Sequence, residues 1–446
     1  MSSFTLGAGH PSEPSTRPAW PLALVPLVVV PVVCVALLLR AAGLDVVQQL
    51  VWAFLALAVL VMLVAPRGLV SARTWVVGYL VLQFPVRALF LLTAPTERPP
   101  IYALFSPGVG MEAALAKALL QSLIGLALLA AAYLVASPRD AASRAPVYGA
   151  TLRSRRVLAL LLVGGLLLPL EARGVSGGSA FLLSMPGLAA SGAAAAVCYS
   201  FVQRPLFYLW EFALAIAYTA TRVTLLSSKM AVLACVVALV IGAVGRAHGR
   251  RPGRSAALSA VVLLLLGGVV AMYVFAVASG RDRGRGFVDT VSQGTSAAVS
   301  RSYGVDALMA SNAHLDDGAR PLYGASMVEL ASSWVPRALW PDKPKSFSIR
   351  FGEEVFAFSP GVGTEFFAPS YSGEWVLNFG TLGLLVGWVL FGLALARVDM
   401  IPSLAHRTLW LVSMVHLVEG SFVAQFWLAA PFIVGGYWAL RKAPAV

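Results

Sequence analysis

Gly373-Glu374-Trp375-Val376-Leu377-Asn378-Phe379-Gly380 marks the place where a polar stretch, Arg281 to Ser372, runs into a long apolar segment. The polar stretch carries half of the 20 acidic residues of the chain. On both sides of it the sequence consists of apolar blocks of about 20 residues, the length that crosses the hydrocarbon core of a bilayer as a helix. The boundary therefore divides the chain into two apolar regions separated by one hydrophilic insertion.

The composition of the chain places it in a membrane. Of its 446 residues, 59% are hydrophobic and only 12% are charged, whereas roughly a quarter of the residues of a soluble domain are charged. Only helices and closed barrels satisfy the backbone inside a bilayer, and continuous apolar runs favour helices. We expect an all-α fold, a polytopic integral membrane bundle with about 12 transmembrane helices and one large external loop.

This expectation divides the chain into three regions. Residues 1–280 form an N-terminal transmembrane bundle of about nine spans, residues 281–372 form the external loop with short helices, and residues 373–446 form a C-terminal bundle of about three spans. Short helices are expected near 294–313 and 326–334, and the alternation over 347–358 is typical of a surface in the interfacial aromatic belt. The predicted spans are 20–40, 46–65, 74–94, 113–136, 157–171, 181–201, 206–226, 228–245, 256–278, 374–396, 407–419 and 422–440.

The basic residues orient the predicted bundle. The net charge is +13, but the polar stretch is close to neutral, so the excess lies in short connections. Arginines cluster within 139–156 and 246–254, and the positive-inside rule puts both clusters in the cytoplasm. The large loop then faces outside the cytoplasm, in a multi-pass protein of the bacterial inner (plasma) membrane. This distribution does not favour a nucleic acid as the partner. The three cysteines have no paired spacing, which argues against a disulfide framework or a zinc site.

Three basic residues lie at membrane depth by this topology. Arg87, Arg222 and Lys229 are costly there and need either a partner or a watery cavity. One interpretation is binding of an anionic ligand, such as the diphosphate of a lipid carrier. The other is internal pairing, for example with Glu112 or Glu211. The sequence leaves both open.

The polar stretch offers further cations just outside the membrane. Arg301, Arg337 and Lys343 could hold a diphosphate, since arginine binds phosphate bidentately and lysine binds it as a point charge. Arg337 lies between Pro336 and Pro341, which restrict the backbone and so help to position the side chain.

Two residues are the candidates for proton transfer. Glu374 lies at the membrane edge, and His314 carries an imidazole, the side chain that most often serves as a general acid or base. No Gly-rich phosphate loop, nucleophile elbow or metal signature occurs, which disfavours ATP-driven and metallohydrolase chemistry. We expect no cofactor and no metal.

Several short motifs resemble one known family. They are Gly324-Ala325-Ser326, Val335 to Pro344, Pro369-Ser370, Gly373-Glu374 and Asn378-Phe379-Gly380. Together they resemble the O-antigen polymerase family, the polytopic polymerases of oligosaccharide repeat units in bacterial surface polysaccharide pathways. Outside these motifs the resemblance is one of topology, with many spans and one large external loop near the C-terminal end.

The resemblance implies an inverting, metal-independent glycosyltransferase. It would move a growing glycan from undecaprenyl diphosphate onto a newly flipped lipid-linked repeat unit of an O-antigen, capsule or exopolysaccharide. Arg337 and Lys343, with Arg222 and Arg301, would hold diphosphates, and Trp340 and Asn378 would contact sugars. The implied partners are the undecaprenyl-diphosphate-linked oligosaccharide, the bilayer, and a chain-length regulator and flippase of the same pathway.

Two other activities fit the same pattern. An O-antigen ligase type would share the donor, the topology and the external basic residues. A flippase or transporter would account for about 12 spans, although it does not require an aromatic-rich external loop of this length. A continuous charged central cavity would favour transport, and a lateral membrane opening beneath the loop would favour a transferase.

Overall fold

The computed structural model describes most of the apolar blocks and part of the polar stretch. The described residues are 45–63, 71–93, 109–137, 151–172, 178–226, 229–250, 303–332, 335, 339–343, 347–355, 369–420 and 422–440. The spans predicted at 20–40 and 256–278 lie outside them.

The described residues form an all-α fold without an extended strand, and an isolated β-bridge joins Leu152 and Leu440. The helices are α1 Val46–Leu63, α2 Ala72–Thr93, α3 Val109–Ala136, α4 Ser154–Ala172, α5 Gly178–Gln203, α6 Leu209–Leu226, α7 Lys229–Arg250, α8 Gly304–Asp316, α9 Ala325–Ser332, α10 Phe347–Glu354, α11 Ser370–Asp399, α12 Leu404–Glu419 and α13 Phe422–Ala439.

Each predicted span inside the described residues coincides with one helix. Five helices in this part of the chain are long and apolar enough to cross a membrane, which are Ala72–Thr93, Gly110–Ala136, Leu183–Gln203, Leu209–Leu226 and Ser370–Asp399. Apolar stretches of this length suggest a membrane protein, because a helix rises about 1.5 Å per residue.

Small residues let the long helices pack closely. In α5, a Cβ added at Gly192 would overlap the backbone carbonyl of Phe432 in α13. In α13, a Cβ added at Gly435 would overlap the backbone of Ala189 in α5. In α11, a Cβ at Gly392 would overlap the carbonyl of Leu129 in α3. Glycine at such contacts allows two helix backbones to approach within van der Waals distance. The pairs α5/α13 and α3/α11 thereby pack with their backbones close together.

Helix α2 contains one π-helical turn, and the first residue of α8 in the polar stretch binds to it. Pro85 has no N–H to donate, and the backbone from Leu82 to Val86 relaxes into a π-helical turn. Next to it, the side chain of Gln83 accepts a 2.7 Å hydrogen bond from the backbone N–H of Gly304, at the start of α8. The irregular turn thus docks the first residue of α8.

Helix α8 belongs to the polar stretch but lies inside the bundle. Every residue from Gly304 to Asn312 is buried, between α2, α3 and α11. Its polar side chains have partners there, since Asn312 Nδ2 donates to Gln121 Oε1 at 2.7 Å and Asp306 pairs with Arg87. The polar stretch was predicted to be an external loop with short helices. Its first described helix overlaps the short helix predicted near 294–313 and packs inside the bundle.

The described part of the segment predicted as an alternating surface forms the helix α10. Phe347 and Phe351 are four residues apart, so a helix places both on one face, where they pack with Ala307, Ala310 and Leu377. The same two residues fit an alternating pattern equally well. The tertiary contact with α8 and α11 selects the helix.

The two ends of α11 define two ends of the bundle. The first turns, near Ser370, lie with α8, α9 and the start of α13. At the other end, Asp399 accepts hydrogen bonds from Ser71 Oγ at 2.6 Å and from Tyr133 Oη at 2.6 Å. Residues of the polar stretch therefore gather at the end opposite to Asp399.

Candidate functional site

Glu374 is a fully buried carboxylate in the first turns of α11. Its exposed fraction is 0%. Ser326 Oγ, on α9, donates a 2.7 Å hydrogen bond to Glu374 Oε1. The backbone N–H of Phe422, at the start of α13, donates to the other carboxylate oxygen through a short hydrogen bond. One acidic side chain thus connects three helices, one of which belongs to the polar stretch.

Asn378 completes the cluster one helical turn further along. Its Nδ2 donates to Ser326 Oγ at 2.7 Å and to the backbone carbonyl of Glu374 at 2.8 Å. Asn378 is also fully buried, and its Oδ1 has no hydrogen-bond partner among the described residues. Buried polar atoms are nearly always paired, so this free acceptor marks a place where a donor can bind. We call Ser326, Glu374 and Asn378 the Glu374 cluster.

A break in α11 explains why α9 meets the cluster. Gly380 has φ +69° and ψ −167°, a conformation that essentially only glycine adopts. The break frees the carbonyls of Leu377 and Asn378, which accept hydrogen bonds of 2.9 Å from the N–H groups of Leu322 and Tyr323. These two bonds place the start of α9 beside Asn378.

A second glycine allows the same approach. Gly324 has φ +86°, and a Cβ there would lie 3.3 Å from the ring of Phe379. Two of the sequence motifs, Gly324-Ala325-Ser326 and Asn378-Phe379-Gly380, therefore meet in space. Each contributes a glycine for the backbone geometry and a polar side chain for the cluster.

A second carboxylate lies near the cluster, on α9. Glu329 Oε2 accepts a 2.8 Å hydrogen bond from the backbone N–H of Phe347, and its other oxygen is 3.7 Å from Arg350. Partial burial raises the pKa of Glu329 above its ordinary value, against the lowering effects of the Phe347 hydrogen bond, Arg350 and Lys343. Glu329 also interacts electrostatically with Glu374.

Two of the predicted diphosphate-binding arginines are paired inside the bundle. Arg87 Nε is 3.0 Å from Asp306 Oδ2, and both side chains are fully buried. Arg222 makes two hydrogen bonds of 3.0 Å to the carboxylate of Glu171. Internal pairing was one of the two interpretations of these residues, although the partners are not Glu112 or Glu211. Their charges are neutralised locally, as is usual at membrane depth.

The other predicted binding residues are placed as follows. Lys343 is half-buried and its Nζ donates to the carbonyl of Val335 at 2.9 Å. Trp340 is 40% exposed beside it. Lys229 is the first residue of α7, but its side chain lies outside what the structure describes, and Arg301 and Arg337 are outside the described residues.

His314 lies in the last turn of α8 and is half-buried. No hydrogen bond or ion pair joins it to Glu374 in the described part of the chain, so the two candidates for proton transfer are not a pair. The polar partners of Glu374 are Ser326 and Asn378 instead. Sequence reasoning did not select Ser326 as a site residue, although it ends one of the motifs quoted above. No three His, Cys, Asp or Glu side chains among the described residues could hold a metal ion.

An apolar groove begins beside the cluster. It has a volume of about 280 Å³ and lies between α11, α12 and α13. Two of its lining residues adjoin Glu374: Tyr371 lies three residues before it in α11, and Phe422 donates its backbone N–H to the Glu374 carboxylate. Leu390 and Phe426, which also line it, are 49% and 43% exposed. The groove therefore leads from the Glu374 cluster to the apolar side of the bundle.

Comparison with known proteins identified no relative of this chain. No family model, curated protein or solved structure matches the chain. The functional assignment therefore depends on the sequence motifs and on the geometry of the Glu374 cluster.

Proposed function

We propose that this protein is a membrane glycosyltransferase that polymerises undecaprenyl-diphosphate-linked oligosaccharide repeat units of a bacterial surface polysaccharide. The observation that carries the proposal is the Glu374 cluster. It unites three of the motifs that resemble the O-antigen polymerase family, and it lies where the polar stretch meets an apolar groove on the side of the bundle.

The chemistry assigns one reaction step to Glu374. A hydroxyl oxygen of the acceptor repeat unit attacks the anomeric carbon of the donor glycan and forms the new C–O bond. The bond between that carbon and the diphosphate oxygen breaks, undecaprenyl diphosphate leaves with the electron pair, and configuration inverts. The proton of the hydroxyl passes to the Glu374 carboxylate, which acts as general base.

The hydrogen bonds of the cluster suit this role. Both oxygens of Glu374 accept hydrogen bonds, one from Ser326 and one from the Phe422 N–H. A sugar hydroxyl that takes the place of Ser326 Oγ would donate to the same carboxylate oxygen. The free Oδ1 of Asn378 would then accept a hydrogen bond from a neighbouring hydroxyl and help to orient the sugar.

The groove between α11, α12 and α13 suits the lipid part of the substrate. A polyprenyl chain is apolar, and the groove is lined almost entirely by apolar and aromatic side chains. Because it reaches the exposed side of the bundle, a lipid could enter from the bilayer without crossing a central cavity. Such a lateral opening favours a transferase over a transporter.

We propose that cations of the polar stretch, and not the arginines inside the bundle, bind the diphosphate. Arg87 and Arg222 are engaged by carboxylates, so they are poor candidates for an incoming anion. Lys343 lies close enough to influence Glu329, which itself interacts with Glu374. We assign diphosphate binding to Lys343 together with Arg301 and Arg337.

The test is the length distribution of the surface polysaccharide on a gel. Cells that lack the protein are complemented with wild type, with Glu374→Gln, or with the exposed-site control Glu354→Gln. We expect a ladder with wild type and control, and a single repeat unit with Glu374→Gln. Long chains that stay on the lipid carrier would indicate a ligase instead. A ladder unchanged in the deletion strain would refute a transferase role in that pathway.

A further inference from the structure

The end of the bundle opposite to the Glu374 cluster contains a basic cavity. It has a volume of about 690 Å³ and lies between the start of α4 and the turn from α5 to α6. Four arginines line it, which are Arg153, Arg155, Arg156 and Arg204. We call it the arginine pocket. The proposed glycosyl transfer uses none of these residues.

Backbone and ring contacts hold the pocket in shape. The N–H of Leu152 donates to Tyr208 Oη at 3.2 Å, and the N–H of Arg153 donates to the carbonyl of Ala439 at 2.8 Å. Arg156 lies over the ring of Trp438, 5.2 Å from its centre. The segment that carries three of the arginines is thus tied to Tyr208, just before α6, and to the end of α13, so their charges are clustered before any ligand arrives.

These charges have no acidic partner among the residues that the structure describes. No ion pair joins any of the four arginines to a carboxylate in the described ranges, in contrast to Arg87 and Arg222. Like charges held together repel one another, and an anion that bridges them would relieve this repulsion. Arginine is the side chain best suited to phosphate, because its planar guanidinium binds bidentately.

The edge of the pocket is apolar and exposed. Leu206 is 95% exposed, Phe207 is 70% exposed and Trp210 is 73% exposed. These residues form the turn from α5 to α6 and the start of α6, and α6 is one of the helices apolar enough to cross a membrane. Aromatic residues next to basic ones are typical of the level of lipid headgroups.

We propose that the arginine pocket binds the phosphate of an anionic phospholipid, such as phosphatidylglycerol, in the cytoplasmic leaflet. The headgroup phosphate lies among Arg155, Arg156 and Arg204, and the acyl chains run along Leu206 and Trp210 beside α6. The apolar edge favours a lipid over a soluble phosphate, which would leave these side chains without a role. Basic pockets between transmembrane helices are suited to anionic headgroups.

The experiment measures lipid binding to the purified full-length protein by native mass spectrometry. Phosphatidylglycerol and phosphatidylcholine are titrated into detergent solutions of wild type and of Arg155→Gln/Arg204→Gln. We expect selective retention of phosphatidylglycerol by wild type and a loss of about tenfold or more in the variant, since each basic side chain contributes to the attraction. Both substituted residues are exposed, so the fold should persist, and thermal unfolding checks it.

A matched control removes two exposed arginines elsewhere, Arg320→Gln/Arg397→Gln, and should bind phosphatidylglycerol as wild type does. A further variant, Leu206→Ser/Trp210→Ser, should weaken phosphatidylglycerol binding while leaving the arginines in place. Equal losses in the pocket variant and the control would overturn the proposal. Full competition by inorganic phosphate, with no effect of Leu206→Ser/Trp210→Ser, would also overturn it and indicate a soluble anion.

Discussion

Ser326 and Glu374 are separated by 48 residues in the chain, yet their side chains share a 2.7 Å hydrogen bond in a buried site. Ser326 belongs to a short helix of the polar stretch, and Glu374 lies in the first turns of the long apolar helix α11. Their contact brings the hydrophilic insertion to the mouth of the apolar groove. The reaction proposed above, between a lipid-linked glycan and a sugar hydroxyl, would require such a meeting of polar and apolar surfaces.

The first prediction concerns the base. Glu374→Gln removes the carboxylate but keeps a carbonyl oxygen for Ser326, so we expect turnover to fall by about 100-fold or more, the usual contribution of a general base. The measurement is polymer formation by purified protein from lipid-linked repeat units. Glu354→Gln, which neutralises an exposed glutamate on α10, should retain activity. Equal activity of Glu374→Gln and wild type would exclude the proposed role.

The second prediction concerns coupling within the Glu374 cluster. Ser326→Ala and Asn378→Ala each leave buried polar groups without partners, and we expect each to lower the free energy of unfolding by about 1–3 kcal/mol. Because the two side chains share a 2.7 Å hydrogen bond, the double variant should lose less than the sum of the single losses. A double-mutant cycle by chemical denaturation in detergent measures this, and strict additivity would contradict the contact.

The third prediction concerns the pair that anchors α8. Arg87→Gln or Asp306→Asn leaves an uncompensated buried charge, so each should destabilise the protein by about 3–5 kcal/mol. Lys117 and Asp316 also pair, at 2.6 Å, but their side chains are 41% and 62% exposed. Lys117→Gln should therefore cost only about 0–1 kcal/mol. Similar losses for the two pairs would show that α8 is not docked by Arg87.

The fourth prediction concerns the break in α11. Gly380→Ala forces a side chain into a conformation available essentially only to glycine, and we expect a loss of about 1–3 kcal/mol together with reduced activity. Gly165→Ala in α4 is the control, because a Cβ there meets nothing within 4 Å. Alanine is the better helix former, so this control should be neutral or slightly stabilising. Thermal unfolding distinguishes the two substitutions.

The fifth prediction concerns pH. Burial raises the pKa of Glu329 above 4.5, so the folded protein binds this proton more tightly than the unfolded chain does. The stabilisation is fully present below the unfolded pKa and is lost as pH rises through the folded pKa. Glu329→Gln cannot ionise and still accepts a hydrogen bond from Phe347.

The stability of Glu329→Gln relative to wild type should therefore increase as pH rises through that range. Unfolding experiments across the acidic range measure this difference, with Glu354→Gln as the exposed control. A difference that is independent of pH, or that changes in the opposite direction, would contradict the burial of Glu329.

Much of the helical framework could be predicted. The segments 374–396 and 422–440 are apolar over the length of a span, and the structure has helices there with slightly different ends. The motif residues Glu374 and Asn378 could also be chosen, one as a site for proton transfer and one as a sugar contact. Their proximity to Ser326 could not be predicted, because it depends on the backbone break at Gly380 and on two hydrogen bonds to residues 322 and 323.

The sequence by itself determined the all-helical class and the positions of the described apolar helices, because the length and continuity of apolar runs are local properties of the chain. The tertiary structure alone decided the partners of the buried charges. Asp306 lies 219 residues from Arg87, and nothing in the local pattern of α8 distinguishes it from a solvated helix of an external loop. Helix α8 is buried because it packs against α2, α3 and α11. These segments are distant in the chain, so the spacing of apolar residues within α8 could not predict the contact.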